Sequence, residues 1–419
     1  MSRSSSRWDT SYEWKAVTLL GIGFGLVGLD RWIIAPLLPS ISMDLGLSVE
    51  QQLNLVGTLG LVWGVFALFS GMLSDKIGHR KILIPALFMF SLMSGFSGMA
   101  AGYMSLLVIR GLMGMMEGSY CPTSFTATAA ASAPKRRGFN QGLQQCGFAL
   151  FGFGLGPIIA TQLLLVVPSW RYVFWIVAIP GFIVGALLFF VLREPKDTQG
   201  GAAIGAVAQP HGGGGYGQVL RSRNIVLSML ALMSAMACIF VLGGVVPEYL
   251  TGYLQLTPQQ MGFVMSALGF GGCVGQFGVP GISDSLGRRL TATLSFVGAA
   301  LTVWWFMQLG ANTTMLFAVL FLVSFFSLGN VALITGPIAT ESAPIGLIST
   351  AIGVVVASGE IFGGGIAPFI AGQIGGAAGI QSTLYMPLIG VSLGAIVSFF
   401  LRETAPAKVA SLAAAAQAK

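Results

Sequence analysis

Residues 71–81 read GMLSDKIGHRK, and residues 283–289 read SDSLGRR. Each sets an acid three positions before a glycine and then adds basic side chains. Asp75 aligns with Asp284 and Gly78 with Gly287, both 209 positions apart. A second pair agrees closely. GFGLGPIIA around Pro157 answers FGGGIAPFIAG around Pro368, 211 positions on. Two independent matches at one spacing describe a chain of two related halves.

The surroundings of these motifs are apolar. Of 419 residues, 55% are hydrophobic and 8% charged, against roughly 25% charged in soluble domains. This is the composition of a polytopic membrane protein, embedded in a lipid bilayer. The net charge of +7 does not gather into one basic patch, so nucleic acid is excluded as a partner. Cys121, Cys146, Cys238 and Cys273 all fall in apolar segments without CxxC spacing and read as small buried hydrophobes. No metal or other cofactor is expected.

A spanning helix needs about 20 mostly apolar residues. Such runs lie near 15–38, 53–73, 81–101, 104–128, 139–167 and 170–192, then near 224–250, 258–282, 289–309, 313–339, 346–373 and 382–401. The reading is an all-α membrane protein of twelve transmembrane helices. It divides into a tail at 1–14, a six-helix bundle at 15–195, a Gly-rich linker at 196–223, a second six-helix bundle at 224–402 and a tail at 403–419. With the N-terminus inside, eighteen of the 21 Lys and Arg fall on the cytoplasmic side, and Arg171 stands outside. The positive-inside rule then places both termini in the cytoplasm. Paired repeats of this kind build transporters, with the substrate site near the midplane between the halves.

With motif, spacing, helix count and orientation in hand, the chain resembles the major facilitator superfamily over essentially its full length. Gly71, Asp75, Gly78, Arg80 and Lys81 match its loop signature, and Asp284, Arg288 and Arg289 its second copy. His79 and Pro280 depart from that pattern. The expectation for this set is a cytoplasmic gating latch; the alternative is a tight charged turn.

Two basic residues, Arg31 and Arg110, and three acids, Asp30, Glu117 and Glu360, lie deep inside the spans. Each costs roughly 2.5–3.5 kcal/mol at a helix centre on insertion scales, and a functional reading is the default at such depth. With a rise of about 1.5 Å per residue, Asp30 is roughly 20 Å from one face of a core about 30 Å thick, and Arg110 roughly 10 Å from the other. They share a level. Adjacent residues on a helix do not face one another, so Asp30 and Arg31 each need a separate partner. Arg110 and Glu117, two turns apart, share a face. Arginine presents a planar fork that matches a carboxylate, and the acids are suited to exchange protons. The set fits an organic anion moving with protons. The competing reading makes Asp30–Arg110 and Arg31–Glu117 static salt bridges.

The Asp30–Arg31 pair, RGLMGMMEGSYCP at 110–122 and VPEYLT at 246–251 resemble the anion:cation symporter branch of the superfamily. That resemblance implies proton-coupling roles for Asp30 and Glu117 and anion-binding roles for Arg31 and Arg110. Glu360 is a third candidate proton site. Tyr120, Gln144, Gln145, Tyr249 and Asn330 are candidates to hydrogen-bond substrate, and Trp32 and Tyr120 suit either packing or a flatter, aromatic acid. The expected protein is a monomeric, multi-pass carrier of the bacterial inner membrane, not an enzyme. It would import a sugar acid, dicarboxylate or aromatic carboxylate with protons by alternating access. The rival is a proton-coupled drug or metabolite antiporter, supported by Gly152, Gly156 and Pro157 but opposed by two intramembrane arginines, which repel cationic cargo.

Overall fold

The computed structural model describes residues 8–133, 137–194, 215–344, 347–405 and 408. Among these, twelve long helices follow one another. The first bundle holds α1 (Thr10–Trp32, continued by Ile34–Leu45), α2 (Val49–Ile77), α3 (Arg80–Ser97), α4 (Tyr103–Ala131), α5 (Arg137–Phe148 through Leu163) and α6 (Trp170–Val191). The second holds α7 (Arg223–Glu248, continued to Tyr253), α8 (Pro258–Leu286), α9 (Arg288–Met307), α10 (Thr313–Leu333, continued to Ser342), α11 (Ile348–Ser358 through Ala378) and α12 (Tyr385–Phe399, after a 3₁₀ turn). The expected linker falls largely on 195–214, outside the described residues, and ends in a short helix, Gly215–Leu220.

Most helices run a few residues past their apolar stretches because polar caps extend them. Asp9 caps α1 through the Tyr12 N–H, and Ser48 with Gln51 forms a capping box on α2. Eleven of the twelve are long and apolar enough to cross a membrane. The exception is α4, 29 residues long, whose run is diluted by Arg110, Glu117 and several Ser and Thr. α1 is interrupted at Ile33. Pro36 has no N–H to offer the Trp32 carbonyl, which breaks the ladder there.

The repeat spacing of 209 extends well beyond the two motifs. Thr257 and Gln260 cap α8 as Ser48 and Gln51 cap α2. Gly78 and Gly287 end α2 and α8 with φ of 102° and 99°, where a glycine is needed. At the following helix start, Glu194 accepts from the His79 and Arg80 N–H groups at 3.0 and 3.2 Å. Glu403 accepts from the Arg288 and Arg289 N–H groups at 2.7 and 3.2 Å. The glycine–proline segments also correspond: α5 and α11 each widen into a π turn, Ala149–Leu155 and Gly359–Ile366, just before Pro157 and Pro368.

The described chain ends, at Trp8 and just after α12, reach one face. Arg193, after α6, pairs with Asp9 at 3.0 Å, and Asn224 at the start of α7 bonds the Arg402 backbone after α12. The Tyr12 N–H and the Arg193 guanidinium hold the Asp9 carboxyl below its usual range. At the opposite face Arg171 pairs with Asp44.

The two bundles meet along α2–α11, α5–α8 and α1–α7. At Gly60 the backbone of α2 lies directly on the Gly364 carbonyl, leaving no room for a Cβ. Trp32 fills the equivalent gap against Gly243 of α7. On α2 the series Gly57, Leu61, Val65, Phe69 forms one helix face. Gly57 and Leu61 touch Gly365 of α11, whereas Val65 and Phe69 are 39% and 59% exposed. Toward the chain ends the bundles also touch, where Cys146 of α5 lies against the Cys273 carbonyl and Gln276 of α8.

Candidate functional site

Arg31 sits at the last turn before the α1 break and projects into the seam. Its Nη2 donates to Glu360 Oε2 at 3.0 Å, linking α1 of one bundle to the π turn of α11 in the other. The guanidinium carbon lies 4.0 Å from the centre of the Trp63 ring and 4.5 Å from that of Phe240. These rings form an aromatic slot that desolvates the cation. Trp32 extends the slot, with ring centres 4.2 Å from Phe153 and 5.4 Å from Phe240. Arg31 Nη1 and Trp32 Nε1 are buried without a hydrogen-bond partner.

The neighbouring charges do different work. Asp30 turns into its own bundle, where Oδ1 accepts from Ser94 Oγ at 2.8 Å. Arg110, 1% exposed, donates to the Arg31 carbonyl at 2.9 Å, with longer contacts to the Asp30 carbonyl at 3.5 Å and the Leu55 carbonyl at 3.4 Å. It therefore braces the interrupted turn of α1 and the adjoining α2. Glu117 is fully buried, and neither oxygen has a hydrogen-bond partner. The proposed static pairs Asp30–Arg110 and Arg31–Glu117 are not formed; Asp30 meets a hydroxyl, and Arg31 meets Glu360 from the other bundle instead. The expectation that Asp30 and Arg31 need separate partners agrees with this geometry.

The other candidates scatter. Gln144 donates to Ser124 Oγ at 2.9 Å, with Oε1 unpartnered, and Gln145 is half-buried beside it. Tyr120 is buried inside the first bundle, its hydroxyl pressed on Gly23 and its ring edge-on to Phe90. Asn330 is buried in α10 with both amide atoms unpartnered. Tyr249 packs on Tyr253 and Phe306 and lines a separate cavity of 240 Å³ with Gln308, Gln381 and Tyr385. That places it near the face away from the chain ends, apart from Arg31.

In the loop motif, Gly71 and Asp75 lie on α2, with their side chains outside the described ones. Arg80 donates to the Phe189 carbonyl at 2.6 Å, and Lys81 is exposed. In the second copy Arg288 joins Asp284 at 2.6 Å and Glu341 at 2.9 Å, while Arg289 lies over Phe399.

Sequence reasoning did not single out Ser94, Trp63, Phe240, Glu194 or Glu403. The two glutamates carried a signal, since they stand 209 positions apart after the last helix of each half. The other three had none beyond their residue type.

The Major Facilitator Superfamily model matches residues 20–242 and 228–418. The chain belongs to the Major Facilitator Superfamily. Among similar curated proteins is the probable 4-methylmuconolactone transporter of Cupriavidus pinatubonensis, 29% identical over 82% of this chain and 79% of that one. The sialic acid transporter NanX of Escherichia coli is 24% identical over 96% of each chain. The hexuronate transporter of Bacillus subtilis is 29% identical over 56% of each. Among solved structures, a bacterial homolog of the human lysosomal transporter Spinster superposes with a TM-score of 0.75 at 16% identity, covering 93% of this chain and 97% of that one. This Major Facilitator Superfamily protein is thus a multi-pass cell-membrane transporter with the twelve-helix fold expected of it, and relatives of it are transporters named for organic acids.

Proposed function

We propose that this transporter imports a small organic anion, a sugar acid, dicarboxylate or aromatic carboxylate, in symport with protons. The observation that carries the reading is the Arg31–Glu360 pair. The Arg31 fork, packed against Trp63 and Phe240, already donates to a carboxylate from the opposite bundle, and its Nη1 is free to donate to a second. A substrate carboxylate is the chemical equivalent of Glu360 and competes for the same fork. Displaced, Glu360 takes a proton, and the ionic link between the bundles is released. Arg110 supports this site by holding the α1 turn that presents Arg31 and adds positive field to it. Asp30 and Glu117 are the further proton carriers, Glu117 because it is buried with neither oxygen hydrogen-bonded. The two halves then rock about the Arg31 level.

Both termini face the cytoplasm in this reading. The carrier works as a monomer in the bacterial inner membrane. The names of the curated relatives support an acidic cargo, and the signs of the buried charges support an anion over a cationic drug.

The test is uptake into proteoliposomes under an imposed inward proton gradient, across sugar acids, dicarboxylates and aromatic acids, with an uncoupler control. Accumulation of one acid, abolished by the uncoupler, is the expected result. Movement of no acid, together with expulsion of a hydrophobic cation, would replace the reading with antiport.

A further inference from the structure

At the face that carries the chain ends, the second bundle has an open cavity of 490 Å³ lined by Arg223, Arg289, Arg402, Phe399, Phe400 and Glu403, together with Leu401. It lies where the starts of α7 and α9 meet the end of α12. Glu403 brings a negative charge, but its oxygens are already committed. They accept from the N–H groups of Arg288, Arg289, Thr404 and Ala405 at 2.7 to 3.2 Å. Among the described residues no acid lies within ion-pair distance of Arg223, Arg289 or Arg402. Arg223 donates to the Phe400 carbonyl at 3.1 Å. Arg289 lies over the Phe399 ring at 4.7 Å. The Arg402 backbone is stapled by Asn224, which leaves its exposed side chain without a described bond.

The repeat supplies an internal comparison. Arg80 and Arg193 stand 209 positions before Arg289 and Arg402. In the first bundle Arg193 is neutralised by Asp9 and stacks on Tyr12. Ahead of α7 the described stretch 215–222 holds no acid, and Arg223 stands where the 209 spacing puts Trp14 in the first bundle. The related corner of the second bundle therefore has one more arginine and no acid in the place of Asp9. Three arginines against one carboxylate leave the cavity with a net positive charge, costly by mutual repulsion unless an anion joins it.

Phe399 and Phe400, 56% and 51% exposed, identify where that anion comes from. They close α12 at the edge of the apolar span, with exposed Leu290 and Ile396 nearby on the neighbouring surface. Two aromatic rings beside a cluster of arginines match the boundary between acyl chains and headgroups, where arginine stems lie in apolar surroundings and their heads reach phosphate.

We propose that this cavity binds the headgroup of an anionic phospholipid, with the phosphate held by Arg223, Arg289 and Arg402 and the acyl chains leaving along Phe399 and Phe400. The site belongs to the second bundle alone and does not depend on the cargo carried between the bundles.

The experiment is native mass spectrometry of the purified full-length transporter with phosphatidylglycerol or phosphatidylcholine, alone and against excess inorganic phosphate. The wild type is expected to retain phosphatidylglycerol in preference to phosphatidylcholine, and phosphate is expected not to displace it. Arg402→Gln weakens this retention, and Arg223→Gln/Arg402→Gln weakens it by roughly tenfold or more. Arg221→Gln, an exposed cation on the same face outside the cavity, leaves it unchanged. Unfolding temperatures in lipid-free detergent identify any variant that has lost its fold. Because the Arg402 side chain makes no described bond, Arg402→Gln remains the decisive variant. Equal loss in Arg221→Gln would overturn the proposal in favour of diffuse surface charge. Displacement by phosphate alone would make the site one for free anions.

Discussion

Arg31 and Glu360, 329 positions apart, meet at 3.0 Å across the seam between the bundles, each nearly removed from solvent. Breaking such a pair from one side leaves a buried charge behind. Glu360→Ala is expected to lower stability by about 3–5 kcal/mol, read as a fall in the unfolding temperature. Replacing both partners by apolar residues of similar size, Arg31→Met with Glu360→Leu, should restore most of that stability while transport stays absent. Recovery of transport in the double variant would show that the fork does not hold the cargo.

Arg110 is bonded to carbonyls and not to acids, so its removal acts first on the α1 turn. Arg110→Met should cost about 1.5–3 kcal/mol through the lost charged hydrogen bonds and abolish uptake. Arg110→Lys keeps the charge but not the fork, and should keep part of the stability with weakened substrate binding. An Arg110→Met protein of unchanged unfolding temperature would contradict the bracing role.

Gly60 rests on the Gly364 carbonyl with no space for a side chain. Gly60→Val should hold α2 and α11 apart in the half away from the chain ends. Spin labels at Met43 and Tyr385, both exposed near that face, should then report a longer distance by pulsed electron resonance. An unchanged distribution would mean that the seam closes elsewhere.

Gly287 combines a φ of 99° with a Cβ position that falls on the Glu403 carboxylate. Gly287→Ala is expected to cost about 1–3 kcal/mol, and Gly78→Ala, set against Glu194, a similar amount. Combining Gly78→Ala with Glu194→Ala should cost less than the sum of the two, because the second change removes the clash. A thermal-unfolding cycle measures this coupling.

Asp9 offers a check on pH. Its carboxyl is held below the ordinary value of 3.8 by the Tyr12 N–H and by Arg193. A depressed folded value means that the clamp is complete above the unfolded value and is lost as pH falls through the folded one. The pair is exposed and salt-screened, so Asp9→Asn should leave the unfolding temperature at neutral pH almost unchanged. Carbon-13 titration of the labelled carboxyl should show the midpoint rising when Arg193 is replaced by Gln.

How far the chain could be read without its structure follows from which interactions are local. The sequence by itself determined twelve apolar helices, their division into two related halves and the presence of five charges deep within them. Those features rest on span length, on turn glycines and caps within a few residues of each other, and on a repeat of 209 to 211 positions, whose 209 spacing also relates Glu194 to Glu403. The level shared by Asp30, Arg31 and Arg110 was legible too, because helical rise alone sets depth. Only the tertiary structure decided what each charge meets. Helix periodicity fixes which residues share a face, but not toward which neighbour that face turns. So Arg31 reaches Glu360 in the other bundle, Asp30 turns back to Ser94, Arg110 bonds the Arg31, Asp30 and Leu55 carbonyls, and Tyr249 turns away toward Phe306. A buried charge takes its partner from whatever the folded chain brings within about 3 Å, and that is set by packing between residues hundreds of positions apart.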